Sequence, residues 1–281
     1  MKNEFIPVAI DQWYERRQKD SCGDFYRKIM NQGSRRDFEK TTQGKYAVAP
    51  DGTLLGETNH RDPQRILKMI ETAQEKFEPQ DTEGIVARNV DQDFARILPD
   101  NASVVRVHAK VLGGYEEPKN EWQRIFQNAV ARDNLWILAE EAQELSQGSF
   151  PKTLGRRLAQ FNLVDNTRGE PPMWAAEEVT LLEIKFNQGV VRGKFRMEST
   201  NKSRGFEGEL FGHIEATEGK LERFDLVANG TYWGEGRYTP GAPEGKFPIA
   251  MAFELGDGRD AADQVAPQGT KGWLPNYWQI P

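Results

Sequence analysis

From residue 178 onward, apolar residues recur at every second position of the chain. Two runs, at 191–198 and 206–215, alternate apolar residues or glycine with mostly charged ones. A period of two is that of a β-strand with one face buried. Asn187–Gly189 and Thr217–Lys220 separate successive runs with residues that favour tight hairpin turns. We therefore predict an antiparallel meander over about residues 178–256, forming either an open sheet or a partial barrel.

The stretch before the meander is predominantly helical in pattern. Ser103–Val111 alternates and predicts one more strand, whereas Asn120–Arg132 has its apolar residues at helical spacing. Shorter helices are predicted at 139–147, where Gly148 ends the pattern, and at 151–161. We expect these helices to pack on one side or one end of the sheet, which makes this region α+β.

The first 80 residues have a different organisation. A short apolar run predicts a buried strand, an amphipathic helix follows, and two strands then flank a turn and lead into a second helix. Asp62 and Pro63 are typical of the start of that second helix. The predicted elements are the strand Phe5–Ile10, the helix Gln12–Asn31, the strands Lys45–Ala49 and Thr53–Gly56 around Pro50-Asp51-Gly52, and the helix from Pro63.

Residues 78–102 are polar and irregular, which is typical of a linker. We therefore predict one domain over residues 1–80 and a second over residues 81–281. The chain of 281 residues is long enough for two domains of ordinary size.

The β-α-β-β-α order, with its Ala-Pro-Asp-Gly hairpin and closing amphipathic helix, resembles the thioredoxin superfamily from its second strand onward. In that superfamily the first β-α unit carries a Cys-x-x-Cys pair, and a cis-proline precedes the hairpin. Here the predicted first strand begins at Phe5, and Thr41–Lys45 contains no proline. The resemblance thus implies a truncated thioredoxin-like segment without its redox chemistry.

The second region is similar to uncharacterised bacterial proteins in which the same N-terminal segment is followed by such a region. Three stretches carry this similarity: 133–137, 161–174 and 232–243. The similarity implies no activity.

Composition excludes several classes of function. The formal net charge of −6 and the scattered basic residues argue against a nucleic-acid partner. No apolar run is long enough to span a membrane, and no hydrophobic leader follows Met1, so the chain as written is expected to be cytoplasmic. Export would be expected if an N-terminal segment preceded it. No cofactor or metal motif is present, and the partner is unknown, with a protein or a small molecule both possible.

Cys22 is the only cysteine of this sequence. The helical pattern places it on the same face as Phe25, Tyr26 and Ile29, and burial there is expected to raise the pKa of the thiol. Asp20 and Asp24 would disfavour the thiolate further. We predict a structural cysteine rather than a reactive one.

His213 is the strongest candidate among the three histidines for acid–base chemistry. The strand pattern puts it on one face with Glu209, Phe211 and Glu215, and the carboxylates would favour the protonated imidazole. A solvated sheet face is the simpler interpretation, and a pocket around His213 is the alternative.

Aromatic residues are concentrated near the C-terminus. Tyr232, Trp233 and Tyr238 lie among glycines and prolines, where exposed rings can stack on sugars or grip a peptide. The tail Trp273–Trp278 is expected instead to fold back over a sheet edge.

The sequence contains no nucleophile, phosphate-loop or dinucleotide motif, so a non-catalytic protein is favoured over an enzyme. The leading hypothesis is a binding or interaction protein with a degenerate thioredoxin-like module. One alternative is an enzyme or small-ligand binder with a pocket around His213. Another is a truncated thiol-disulfide oxidoreductase.

Overall fold

The computed structural model describes residues 5–79, 91, 94, 96–270 and 277–278. The chain divides into two compact units, Met1–Arg96 and Ile97–Pro281. Much of the linker predicted at 78–102 lies outside the described residues, which do not include residues 80–90.

Two helices open the first unit where the sequence predicts one. Helix α1 spans Gln12–Glu15 and helix α2 spans Ser21–Met30. Asp20 interrupts the pattern because its carboxylate accepts hydrogen bonds from the N–H groups of Cys22 (3.0 Å) and Gly23 (3.1 Å). Such a side chain starts a new helix and holds its own backbone in an extended conformation. The single helix predicted over Gln12–Asn31 is therefore wrong in its first half.

Phe5–Ile10 is not a strand, contrary to the sequence prediction. Ile6 is 90% exposed and Val8 is 71% exposed. Among the described residues this unit has one sheet, which consists of two strands only. The run therefore has no strand to pair with, and Pro7 has no N–H to donate. The order of the described elements is α-α-β-β-α.

The hairpin and the last helix of the first unit are confirmed. Strands β1 (Lys45–Val48) and β2 (Leu54–Thr58) pair in antiparallel fashion, and Gly52 in the turn has φ +88°. Asp62 caps helix α3 (Pro63–Lys76) by accepting from the N–H of Gln64 at 2.8 Å. The apolar stripe predicted to be buried on α3 is only partly so. Ala73 is fully buried, but Leu67 is 38% exposed and Phe77 is 40% exposed.

A seven-stranded antiparallel sheet organises the second unit, with strand order β4-β3-β9-β8-β7-β6-β5. The meander predicted over residues 178–256 is confirmed as β5 to β9, and β3 and β4 extend it on the β9 side. The sheet is open, with β4 and β5 as its edges. The strands are β3 (Ser103–Val111), β4 (Ala131–Ile137), β5 (Val179–Asn187), β6 (Val190–Glu198), β7 (Gly205–Thr217), β8 (Lys220–Trp233) and β9 (Lys246–Leu255).

The helix predicted over Asn120–Arg132 is shorter than expected. Helix α4 covers Glu121–Gln127, and the chain then enters β4 at Ala131. Strand β4 pairs with β3 from Ser103 to Ala109, and Leu135 and Ile137 are completely buried. Pairing with a strand far back in the chain thus overrides the local helical pattern.

Helices α5 (Ala139–Ser146) and α6 (Lys152–Arg157) pack on the inner face of the sheet, as predicted. A π-helical turn, Leu158–Asn162, continues α6. Buried side chains of these segments, among them Leu145 and Leu158, join the inward residues of the strands in one core.

The end of the chain packs on the edge strand β4. The hydroxyl oxygen of Tyr277 accepts a hydrogen bond from the backbone N–H of Trp136 at 3.2 Å, and the indole rings of Trp136 and Trp278 stack with centroids 5.8 Å apart. The predicted covering of a sheet edge is confirmed at these two tail residues, while Trp273 lies outside the described residues. In the described part of the chain, no helix has both the length and the apolar character needed to cross a bilayer.

Candidate ligand-binding cleft at the end of strands β7 to β9

A cleft of about 440 Å³ opens in the second unit where β8 ends and β9 begins. Residues 234–245 connect these two strands and form part of its wall. The start of β7 lies alongside, because Gly205 pairs with Trp233. The lining residues are Ser203, Trp233, Gly234, Glu235, Ala242, Pro243, Gly245 and Lys246.

Trp233 supplies the aromatic surface of the cleft. Strand register aligns Gly205, Trp233 and Lys246 on three neighbouring strands. The indole lies over Gly205, since a Cβ atom at that position would overlap the ring carbon Cζ2. The ring is half-buried, and its Nε1–H donates to the carbonyl oxygen of Lys202 at 3.3 Å. The glycine therefore allows a fixed indole at this point of the sheet surface.

The lysine of the cleft wall, Lys246, is paired with a carboxylate outside the lining. The Nζ atom of Lys246 lies 4.6 Å from the indole centroid of Trp233 and 2.9 Å from Oε1 of Glu207. The second oxygen of Glu207 accepts from Nη1 of Arg196, also at 2.9 Å. The hydrogen bond and charge of Lys246 lower the pKa of Glu207. This carboxylate is thus ionised at neutral pH and neutralised by its neighbours.

Glu235 orders the connection between β8 and β9. Its Oε2 atom accepts from the backbone N–H groups of Gly241 (2.7 Å) and Ala242 (3.2 Å). A second bond runs from the N–H of Gly236 to Oγ1 of Thr239 at 2.8 Å. The wall of the cleft is consequently formed before any ligand arrives.

A buried arginine ties this wall to the loop 165–174. Arg168 pairs with Asp165 at 2.6 Å, and it donates to the hydroxyl of Tyr115 at 3.0 Å and to the carbonyl oxygen of Thr239 at 3.3 Å. Sequence analysis missed this role of Arg168. The only available signal was an aspartate and an arginine three residues apart in a loop rich in glycine and proline.

Tyr232 does not belong to the cleft surface, which corrects the sequence-based expectation of an exposed ring. Because β8 continues to Trp233, neighbouring side chains point to opposite faces, and Tyr232 points inward. Its ring is 1% exposed and contacts the rings of Phe206, Phe247 and Trp174 at centroid distances of 5.5, 5.6 and 6.2 Å. Burial raises the pKa of Tyr232 to about 12. It is a core residue.

Tyr238, by contrast, is 62% exposed. It lies in the same connection as Glu235 but is not among the residues that line the cleft. The guanidinium of Arg237 lies 5.3 Å from its ring centroid. The structure therefore does not bring together the three aromatic residues proposed from the sequence.

His213 lies on the outer face of β7, opposite the buried side chains of Leu210 and Ile214. Its Nε2 atom is 2.9 Å from Oε1 of Glu215, which also lies 3.6 Å from Arg223. Glu209 is four residues away along the strand, or about 13 Å, and its nearest cation is Lys194 at 4.0 Å. The structure thus pairs His213 with Glu215 and not with Glu209, and the acid–base role of His213 stays a prediction.

Cys22 is exposed, which contradicts its predicted burial. Gly23, Tyr26, Ile29 and Met30 form the buried stripe of α2, so Tyr26 and Ile29 are buried as predicted while Cys22 lies at the exposed margin of that face. The expected direction of its pKa still holds: partial desolvation raises the pKa of the thiol, and the charges of Asp20 and Glu15 raise it further. The thiolate is disfavoured at neutral pH.

No protein-family model, curated protein or solved structure matches this chain. The similarity of the first 80 residues to the thioredoxin superfamily, and of the remainder to bacterial proteins, stays a prediction. Function is therefore inferred from the residues of the cleft themselves.

Proposed function

We propose that this protein is a non-catalytic binding protein that holds a neutral saccharide in the cleft at Trp233. One observation carries the proposal: a half-buried indole stands in a cleft whose lysine is already paired with Glu207 and whose glutamate is already bonded to backbone N–H groups. The sequence favours a non-catalytic binding protein, and the proposal makes its ligand a small molecule.

An indole suits one face of a sugar ring. The axial C–H groups of a pyranose form an apolar patch that can lie flat on an aromatic ring and remove both surfaces from water. The indole of Trp233 already lies over Gly205, and Nζ of Lys246 lies 4.6 Å from its centroid, so a sugar that stacks on this ring has to displace the Lys246 side chain or share the ring with it. The hydroxyl groups around that patch need hydrogen-bond partners. Ser203, Glu235 and Lys246 line the same cleft and supply them, and bonds to charged groups are stronger than those between neutral groups.

Charge pairing favours a neutral ligand over an ionic one. Lys246 is neutralised by Glu207, which is in turn bonded to Arg196. An anion in the cleft would have to compete with Glu207 for Lys246, and a cation would have to compete with the N–H groups of Gly241 and Ala242 for Glu235, whereas a hydroxyl group can add to these bonds.

Glu207, which borders the cleft through Lys246, is unsuited to the acid step of glycoside hydrolysis. Enzymes that cleave glycosidic bonds require one carboxyl group with a raised pKa to act as the acid. The pKa of Glu207 is lowered instead, by Lys246 and Arg196. A protonated acid at this position is not supported.

The other sequence-based hypotheses have less support. A truncated thiol-disulfide oxidoreductase would have its Cys-x-x-Cys pair outside this sequence, which contains only Cys22. A thioredoxin-like ancestry of the first unit is supported by the hairpin β1–β2 and by α3, but not by a strand at Phe5–Ile10.

The test is binding of a panel of neutral trisaccharides to the full chain, measured by isothermal titration calorimetry. Trp233→Ala should weaken the best ligand roughly tenfold, because loss of an aromatic contact of about 1.4 kcal/mol has that effect. Trp122→Ala is the matched control, since Trp122 is 48% exposed on α4 of the same unit. The affinity of the Trp122→Ala variant for the same saccharide should stay within about a factor of two of the parent protein's. Equal losses in both variants, or no binding of any saccharide, would refute the proposal.

A further inference from the structure

We propose that the first unit binds an acidic, extended peptide, which adds as a third strand to the free edge of β2. This site is separate from the cleft at Trp233, and it concerns a protein partner rather than a small ligand. It rests on an open strand edge, a groove beside that edge and unpaired basic side chains.

The edge of β2 is open within the described residues. Strand β2 pairs with β1 on one side, and the sheet contains no other described strand. All five residues of β2, Leu54–Thr58, are half-buried. The carbonyl oxygen of Leu55 is approached by Nζ of Lys76 at 3.5 Å, a side-chain contact and not a strand partner. An open edge of this kind is a template for another strand.

A groove of about 410 Å³ runs between β2 and α3. The strand contributes Leu55, Gly56, Glu57 and Thr58, and the helix contributes Arg65, Lys68, Met69, Thr72 and Lys76. Met69 and Leu55 give the groove an apolar component, which an alternating peptide can cover with every second side chain.

The helical wall of the groove is basic. Arg65 and Lys68 form no ion pair with any described residue, and Lys76 contacts only a carbonyl oxygen in the residues described. The one acidic lining residue, Glu57, already accepts from the N–H of Ser34 at 2.9 Å. The groove therefore presents three positive charges against the single carboxylate of Glu57, and this surplus of cations favours an acidic partner.

The length of this wall defines the length of the partner. Arg65 and Lys76 are eleven positions apart on one helix, or about 16 Å along its axis. An extended chain covers that distance with about five residues. Acidic side chains at alternate positions of such a segment would meet the basic wall, while the backbone pairs with β2.

Nucleic acid is the competing partner for a basic groove. Binding of nucleic-acid phosphates requires only basic side chains. The edge of β2 also offers N–H and C=O groups in the spacing that a peptide backbone pairs with. The open edge is what favours the peptide.

The test uses the full chain and a fluorescent, end-blocked heptapeptide of alternating glutamate and valine, with binding measured by anisotropy. Three other probes are titrated: the same peptide with lysine for glutamate, the glutamate peptide with N-methylated valines, and an oligothymidylate of about twelve nucleotides. N-methylation removes the donors that a strand pairing needs and should weaken binding at least roughly tenfold.

The variant R65Q/K68Q should weaken the glutamate peptide roughly fivefold, as expected for two exposed charge pairs. K28Q/K40Q is its matched control, since it lowers the net charge by the same two units at exposed lysines of the first unit that do not line the groove, and the affinity of this variant for the peptide should stay within about a factor of two. Equal binding of methylated and unmethylated peptides, tighter binding of the lysine peptide or the oligonucleotide, or equal losses in the two variants would overturn the proposal. So would failure of the glutamate peptide to bind at about 1 mM.

Discussion

Asp133 places a carboxyl group in the interior of the second unit, where its ionisation opposes folding. The residue lies in β4 and is 9% exposed. Its Oδ1 atom accepts from the N–H groups of Asn134 (2.8 Å) and Gln268 (2.9 Å), and Oδ2 accepts from Nδ2 of Asn162 at 3.3 Å. Burial outweighs these bonds and raises the pKa of Asp133 to about 6.

The sign of the effect follows from the two protonation states. The unfolded chain releases this proton near pH 3.9, whereas the folded chain retains it until about pH 6. Protonated Asp133 therefore contributes its full share to the free energy of unfolding at pH values below the unfolded pKa. That contribution is lost as the pH rises through the folded pKa. A shift of about two units corresponds to about 3 kcal/mol.

Asp133→Asn removes the charge and keeps the shape. The amide oxygen can still accept from Asn134 and Gln268. The new amide N–H₂ faces Nδ2 of Asn162, so it can donate to Oδ1 of Asn162, a buried atom without a hydrogen bond in the described structure, once the Asn162 amide turns over. We expect the variant to gain about 3 kcal/mol of unfolding free energy relative to the parent protein between about pH 4 and pH 7.

Urea unfolding followed by tryptophan fluorescence at several pH values measures this difference, because six of the seven tryptophans lie within residues 97–281. Asp225→Asn is the control: Asp225 is 53% exposed on β8, and its substitution should show no comparable pH dependence. A pH-independent difference between Asp133→Asn and the parent protein would refute the reasoning, as would a difference of the opposite sign.

Three further predictions test the packing and the thiol. Glu141→Gln should destabilise the second unit by about 3–5 kcal/mol, because it leaves the completely buried Arg157 without a counter-charge. In the parent protein Nη1 of Arg157 lies 2.7 Å from the Glu141 carboxylate. A loss below about 1 kcal/mol in chemical denaturation would contradict this prediction. Tyr277→Phe should cost about 1 kcal/mol, since the N–H of Trp136 loses its acceptor, and unchanged stability would show that the tail does not protect β4. Alkylation of Cys22 by iodoacetamide should still accelerate at pH 9, because the pKa of this thiol is raised, and a plateau well below that pH would disprove it.

Local signals explain what the sequence predicts correctly. The turns of the meander depend on residues next to one another, such as Gln188 and Gly189, which both adopt positive φ (48° and 81°). The cap of α3 likewise depends on Asp62 alone, whose carboxylate lies two residues from its first donor. Such features need no knowledge of the rest of the fold.

Two of the wrong predictions depend on distant partners. Phe5–Ile10 has a strand-like composition but no neighbouring strand among the described residues, and Ala131–Ile137 becomes a strand because β3 is beside it. Two others are local: the carboxylate of Asp20 starts a new helix, and Cys22 is exposed at the margin of the face on which Tyr26 and Ile29 are buried. Periodicity defines a face and not the element that covers it.

The cleft was predictable only in part. Trp233 is a visible candidate in the sequence, whereas its neighbours depend on strand register. Gly205 and Lys246 join it because β7, β8 and β9 align these three residues. Sequence spacing alone contains no record of that alignment.

The most direct test of the saccharide site is the indole region of a proton–nitrogen NMR spectrum. Each tryptophan gives one Nε1–H signal, and Trp233→Phe identifies the signal of Trp233 by its loss. Titration with the best trisaccharide should shift this signal, because Nε1 lies in the cleft wall and donates to Lys202, and should leave the signal of Trp122 in place. A saccharide that binds and shifts other indole signals while that of Trp233 stays unchanged would contradict the account.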